Sequence, residues 1–217
     1  MLTIHAADLL LPGAGLAPVP DGAVAVDGRG IAAVGPYEDL AAERPGARVR
    51  RWPGILTPGL CNPYGPELLE RAYHPDPREA GELGTEPITG DALAALDMTE
   101  ARWGASARRG VQRMMAHGTV AVAGDLWRPA VVDAVQRAGL SMQERFEEPE
   151  GTPSLDPFAS RPVDDAFLPP LGPEGRDATF AIFDVPTTGD PCEALAEHGA
   201  GTCVATVLGG RLVYRAR

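Results

Sequence analysis

The stretch AYHPDPREAGELGTEP, residues 72–87, gathers a dense set of reactive side chains: His74 stands among Tyr73, Asp76, Arg78, Glu79, Glu82 and Glu86. An imidazole beside carboxylates can exchange protons near neutral pH or bind a metal weakly, so His74, Asp76 and Glu79 are candidate catalytic groups. The same composition also suits a solvated loop or a contact between two copies of the chain. Asp125 is a further candidate. It closes the apolar run TVAVAGD (119–125), where a strand would hand a carboxylate to a loop. Its competing role is to N-cap the helix that opens near residue 128. A second loop, NPYGPELLE (62–70), follows the apolar ILTPGLC (55–61) and supplies Asn62, Tyr64 and Glu67. With Arg78 these are candidate ligands for a small polar molecule.

Several chemistries are excluded. All 19 basic residues are Arg, so no Schiff base, Walker-type lysine or lysine carbamate can form. None of the Ser residues (106, 141, 154, 160) sits in a GxSxG elbow. The glycine-rich pieces GAG and GGR lack the strand–GxGxxG–helix setting for nucleotides. Cys61, Cys192 and Cys203 contain no CxxC and are too sparse for a disulfide framework or zinc ribbon. Cys61 lies in an apolar run and reads as a packed small hydrophobe. His5 reads as structural, and His117 and His198 each precede a glycine at a helix end, where a cation suits the dipole.

Net charge is 19 − 30 = −11. That repels phosphate backbones and argues against nucleic acid as a partner. No apolar run approaches the ~18 residues of a membrane span. The N-terminal MLTIHAADLLLPG lacks a basic region and reads as a strand, so the cytoplasm is the expected location. The Ala, Arg, Gly and Pro bias without Lys suggests a GC-rich, bacterial source.

The elements that must position these residues follow from periodicity and punctuation. A short strand is expected at 2–5. GAVAVDGRGIAAVGP (22–36) reads as a hairpin turning at Asp27-Gly28-Arg29-Gly30, and residues 36–46 as a short helix. Residues 71–92 read as loop. A helix from Thr99 carries Trp103, Ala107, Val111 and Met114 at helical spacing and stops at Gly118. A strand at 119–125, a helix at 128–139 and a strand at 141–146 complete a βαβαβ order, the mark of a parallel sheet. After the irregular 147–176 come a strand at 177–185, a helix near 190–197 and a terminal hairpin about Gly209-Gly210. The fold class is mixed α/β. Residues 1–54 and 177–217 form a small β-sandwich from both termini, 55–147 an α/β insert and 148–176 a connector.

Three segments carry a family resemblance. GIAAVGP with WPGILTPGLCN, then RRGVQRMMAHGTVAVAGD (108–125), then GRDATFAIFDV through VATVLGGRLVYR resemble the amidohydrolase superfamily, in particular imidazolonepropionase and aminofutalosine- or cytosine-deaminase-like members. The resemblance covers about two thirds of the chain. It implies a composite β-sandwich with a truncated TIM-barrel-like insert, and an ancestry in hydrolysis of non-peptide carbon–nitrogen bonds. In that family the first barrel strand ends in N-A-H-x-H. Pro58, Gly59, Leu60, Cys61 and Asn62 match its start, while Tyr64 and Pro66 stand at the two metal-binding histidines. A full (β/α)₈ barrel needs ~250 residues. The expectation is therefore a pseudoenzyme without a bound metal, binding a small polar molecule or a protein. The alternative is a hydrolase whose site is rebuilt around His74. A short open sheet leaves edges uncovered, and a homodimer would cover them.

Overall fold

The computed structural model describes residues 2–159, 161–172 and 176–216. It is a mixed α/β structure with a large mixed sheet, a small parallel sheet and, among the described residues, no closed barrel. The chain begins with β1 (Thr3–Leu10), β2 (Val19–Pro20), β3 (Gly22–Asp27), β4 (Gly30–Pro36), α1 (Tyr37–Glu43) and β5 (Arg48–Pro58). After Gly59 come β6 (Leu60–Asn62), α2 (Gly65–Leu69), β7 (Ala72–Tyr73), α3 (Ala80–Leu83), β8 (Ile88–Thr89) and α4 (Gly90–Ala94). Then follow α5 (Glu100–Met115), β9 (Thr119–Ala123), α6 (Pro129–Ala138) and β10 (Ser141–Gln143). The C-terminal part holds α7 (Val163–Ala166), β11 (Phe180–Phe183), α8 (Pro191–His198), β12 (Cys203–Leu208) and β13 (Arg211–Arg215).

Strands from both ends of the chain share one sheet, ordered β13-β12-β11-β5-β1-β3-β4, with β2 also beside β1. Within it β1 and β5 are parallel; the other pairs are antiparallel. Period-two alternation sorts the side chains of β3 onto two faces. Val24 and Val26 join Trp52, Leu56, Phe180 and Ile182 in one core. Ala23 and Ala25 pack with Ile4, Ala6 and Leu40 under α1. Cutting the fully buried Phe180 to Ala would cost about 3–5 kcal/mol.

The small sheet, ordered β10-β9-β6, is parallel throughout. Its helices carry the expected apolar stripe: Trp103, Ala107, Val111 and Met114 of α5 are all buried. Pro129 opens α6, and Gly139 at φ +85° ends it in the left-handed conformation that glycine adopts without strain. The edge strand β10 is exposed along its length, with Met142 on it and Phe146 just beyond, the latter 90% exposed.

The structure departs from the sequence reading in several places: the strand expected at 141–146 ends at Gln143, that at 177–185 spans Phe180–Phe183, and α7 lies inside the segment read as irregular. The strand expected at 2–5 runs to Leu10, because its parallel pairing with β5 continues past a register shift between Ala7 and Leu9. Residues 71–92, read as a loop, hold the β7–β8 ribbon, the short helix α3 and the start of α4. Asp125 does not cap α6. Its N-cap position is Arg128, and the Glu70 carboxylate accepts the Trp127 and Arg128 amides at 2.8 and 2.6 Å.

Candidate functional site

His74 is fully enclosed. Its Nε2 lies 2.8 Å from the Leu68 carbonyl, its amide donates to Ser106 Oγ at 2.9 Å, and its carbonyl accepts from Arg109 Nε at 2.8 Å. The ring packs against Gly110 of α5, where any side chain would collide with it. Burial, aided by Arg113 and Arg109 and opposed by the Leu68 carbonyl, holds the imidazole below its ordinary pKa. It is therefore neutral at pH 7, with Nε2–H donating, and Nδ1 has no partner among the described residues.

The carboxylates near His74 in sequence turn outward. Asp76 and Glu79 form a capping box: Asp76 Oδ1 accepts the Arg78 amide at 2.9 Å, and Glu79 Oε2 accepts the Asp76 amide at 3.1 Å. Glu79 also accepts from the Tyr73 hydroxyl and pairs with Arg102 at 2.9 Å, and these contacts, Tyr73 first, lower its pKa. Arg78 is exposed.

A second group forms where the parallel strands of the small sheet end, because each strand hands its following loop to the same edge. Arg145, just after β10, reaches α2. Its Nη1 lies 2.9 Å from Glu67 Oε2 and donates to the Pro63 carbonyl at 3.1 Å. Its Nη2 meets Glu148 at 3.0 Å. These carboxylates, Glu67 above all, raise the Arg145 pKa. Arg71 Nη1 stands 3.6 Å from the other Glu67 oxygen, so that carboxylate is held between two guanidinium groups.

Beside this row opens a cleft of about 670 Å³ at the strand ends. It is lined by Arg71, Arg128 and Arg145 against Glu70, Glu100, Asp125 and Glu148, with the Trp127 ring at its edge. Most of these charges are already engaged. Arg128 lies over the Trp103 ring at 4.4 Å and 3.7 Å from Glu100, while Glu70 accepts the Trp127 and Arg128 amides. Asp125 is different: it is exposed, and no hydrogen bond or ion pair reaches it from a described residue. Two positions on, Trp127 is 79% exposed.

Across the Glu67 row lies a second cleft, of about 790 Å³, walled by Leu68, Ala72, Pro87, Pro153 and Leu155. Its far wall, residues 152–155, is tied down from β6, and Glu150 just before it from the loop behind β6. Asn62 Nδ2 donates to the Ser154 and Leu155 carbonyls at 2.9 and 3.5 Å, and the Tyr64 hydroxyl donates to the Glu150 carbonyl. Asn62 Oδ1 also accepts the Tyr64 amide at 2.9 Å. Asn62 and Tyr64, read as ligand-contacting residues, are thus placed to hold a wall of the site.

The sequence candidates therefore separate into an enclosed His74, an outward pair of Asp76 and Glu79, and a strand-end group of Asn62, Tyr64, Glu67 and Asp125. Arg145, Glu148, Glu70 and Trp127 escaped the sequence reading. Trp127 left one usable signal: a large aromatic in the short loop between an apolar strand and a proline-opened helix. The thiols are poor nucleophiles. Burial raises all three, Cys203 and Cys192 to about 11, with Asp164 adding to the effect at Cys192.

The metal implied by the resemblance meets unsuitable donors at its first two positions. Tyr64 is a buried phenol committed to a backbone carbonyl, and Pro66 has no donor side chain. Among the described residues no group of three or more His, Cys, Asp or Glu is arranged to hold a metal ion.

No family model matches the chain, and no curated protein does. Solved structures do match in part. The Aspergillus enzyme A. niger ochratoxinase is 22% identical over 66% of this chain and 30% of its own, with a TM-score of 0.45. A zinc-bound adenosine deaminase from Xanthomonas campestris is 18% identical over 64% and 32%, with a TM-score of 0.43. Helicobacter pylori aminofutalosine deaminase is 18% identical over 71% and 35%, with a TM-score of 0.38. The neighbours are consistently amidohydrolase-superfamily deaminases and hydrolases, a triazine hydrolase and a guanine deaminase among them. This chain spans about a third of the length of each of the first three.

Proposed function

We propose that this chain is a small-molecule binding protein built on an amidohydrolase-like frame, and that its ligand is a small nitrogenous cation or zwitterion held at the strand-end cleft. The finer architecture we infer, a β-sandwich of both termini with a truncated barrel insert, would leave this cleft at the open end of the insert. The observation that carries the reading is the pair Asp125 and Trp127 on one loop: an unengaged carboxylate beside an exposed indole face. A positive nitrogen is drawn to both, by charge and by the ring quadrupole. The surrounding field agrees in sign, since the chain carries −11 overall and the cleft has four carboxylates against three guanidiniums.

The test is a fluorescence titration with tetramethylammonium, using Asp125→Asn and Trp127→Phe variants. Wild type is expected to give a saturable change in tryptophan emission, with affinity about tenfold weaker in Asp125→Asn. No saturable binding in folded wild type, or equal binding by Asp125→Asn, defeats the reading. Both substitutions fall on exposed side chains, so the fold should survive them.

A further inference from the structure

The polar cleft does not end at its own wall. Arg71 lines both clefts, and its side chain, 71% exposed, is the lightest part of the partition between them. The rest of that partition is fixed: Glu67 and Arg145, each 13% exposed, are paired at 2.9 Å. The two sides differ in chemistry. One carries Asp125, Trp127 and the ion pairs; the other is walled mainly by Leu68, Ala72, Pro87, Pro153 and Leu155.

We propose that the two clefts form one bipartite site for an elongated amphiphile, whose cationic nitrogen sits by Asp125 and Trp127 and whose hydrocarbon portion crosses Arg71 into the apolar cleft. This rests on the cation reading above and adds the ligand's second half. The shape supports it: at about 670 and 790 Å³, each cleft alone is of small-ligand size, and they meet at one movable side chain. The crossing needs Arg71 only to swing outward, because its link to Glu67, at 3.6 Å, is the longer of the two ion pairs on that carboxylate. An arginine stem is itself hydrocarbon and would lie along an alkyl chain while its head stays in water. The wall at 152–155, which presents Pro153 and Leu155, is held by Asn62, and Tyr64 anchors Glu150 just before it, which gives these two residues the role of positioning residues for the tail half.

The experiment is a calorimetric titration with tetramethylammonium, then n-butyl- and n-hexyltrimethylammonium, below any micelle concentration. Each methylene that enters the second cleft is expected to tighten binding about two- to fourfold. Leu155→Asp should abolish that gain while leaving tetramethylammonium affinity unchanged. Asp125→Asn should weaken all three ligands by one common factor. If tetramethylammonium binds but chain length brings no gain, or the gain persists in Leu155→Asp, the bipartite site is overturned and the cation reading stands. If even tetramethylammonium fails to bind, the cation reading falls and takes this one with it. Pro153→Asp, at an exposed position of the same wall, is the second tail variant: if Leu155→Asp fails to fold, it should remove the same gain.

Discussion

Arg145 Nη1 and Glu67 Oε2 meet at 2.9 Å across 78 residues of chain, both side chains largely withdrawn from water. The pair joins the loop after the last strand of the small sheet to the helix after its first. Such a pair is weak evidence of net stabilisation, but breaking it from one side strands a charge. Arg145→Ala should therefore cost about 2–4 kcal/mol, since Glu67 keeps only the exposed Arg71. The double variant Arg145→Ala with Glu67→Ala should lose less than the single one. Urea denaturation of the three proteins decides it: a double variant as unstable as the sum of its parts would mean that the two side chains are not coupled.

Acid should weaken the fold through His5. This side chain lies in the large sheet beside Trp52, whose Nε1 donates to its Nδ1 at 3.3 Å. Burial, with the Arg50 charge adding to it, lowers its pKa from 6.5 to about 4. The unfolded chain then takes up the proton first. Stability from this group is complete above about 6.5 and is lost as the pH falls toward 4, by up to about 3 kcal/mol. His74 is depressed in the same direction and adds to the slope. Denaturation midpoints at pH 7 and 4.5 should differ less in His5→Gln than in wild type. An unchanged difference would mean that His5 is not the group responsible.

Two glycine substitutions should act with opposite sign. Alanine normally favours a helix over glycine by about 1 kcal/mol. At Gly110 the new Cβ would lie 2.7 Å from His74 Nε2 and 2.8 Å from Leu69 Cδ2. Gly110→Ala should thus destabilise by about 1–3 kcal/mol through overpacking. At Gly81 in α3 a new Cβ would meet nothing within 4 Å beyond its chain neighbours and its own helix backbone, and Gly81→Ala should stabilise by about 0.5–1 kcal/mol. Melting temperatures of the two variants are the measurement, and a stabilised Gly110→Ala would show that His74 is not pinned by α5.

What the sequence displayed was whatever repeats locally. The stripe of Trp103, Ala107, Val111 and Met114 and the glycine turn at Gly28 were legible because one element's own spacing encodes them. The ribbon and short helices in 71–92 were not, since elements of two to five residues are too brief to show a period. Within the site, His74 drew notice for its sequence neighbours, but α5, some 30 residues on, buries it. Arg145 was hidden in SMQERF, which the sequence offered only as a strand, because its main partner Glu67 is remote in sequence. Asn62 showed itself as a turn residue, and nothing nearby announced that it holds Ser154.

Gly59 alone separates β5 from β6, so the large sheet passes into the small one across a single residue. That residue has no slack. Its amide reaches the Thr179 carbonyl at 3.4 Å, its carbonyl accepts from Leu168 at 2.9 Å, and a Cβ would lie 2.3 Å from Val120. The junction is a weld rather than a hinge. Mechanical load on either sheet should therefore pass directly to the other, and the mouth of the strand-end cleft should stay in register with the large sheet. The two sheets should then open together as one cooperative unit.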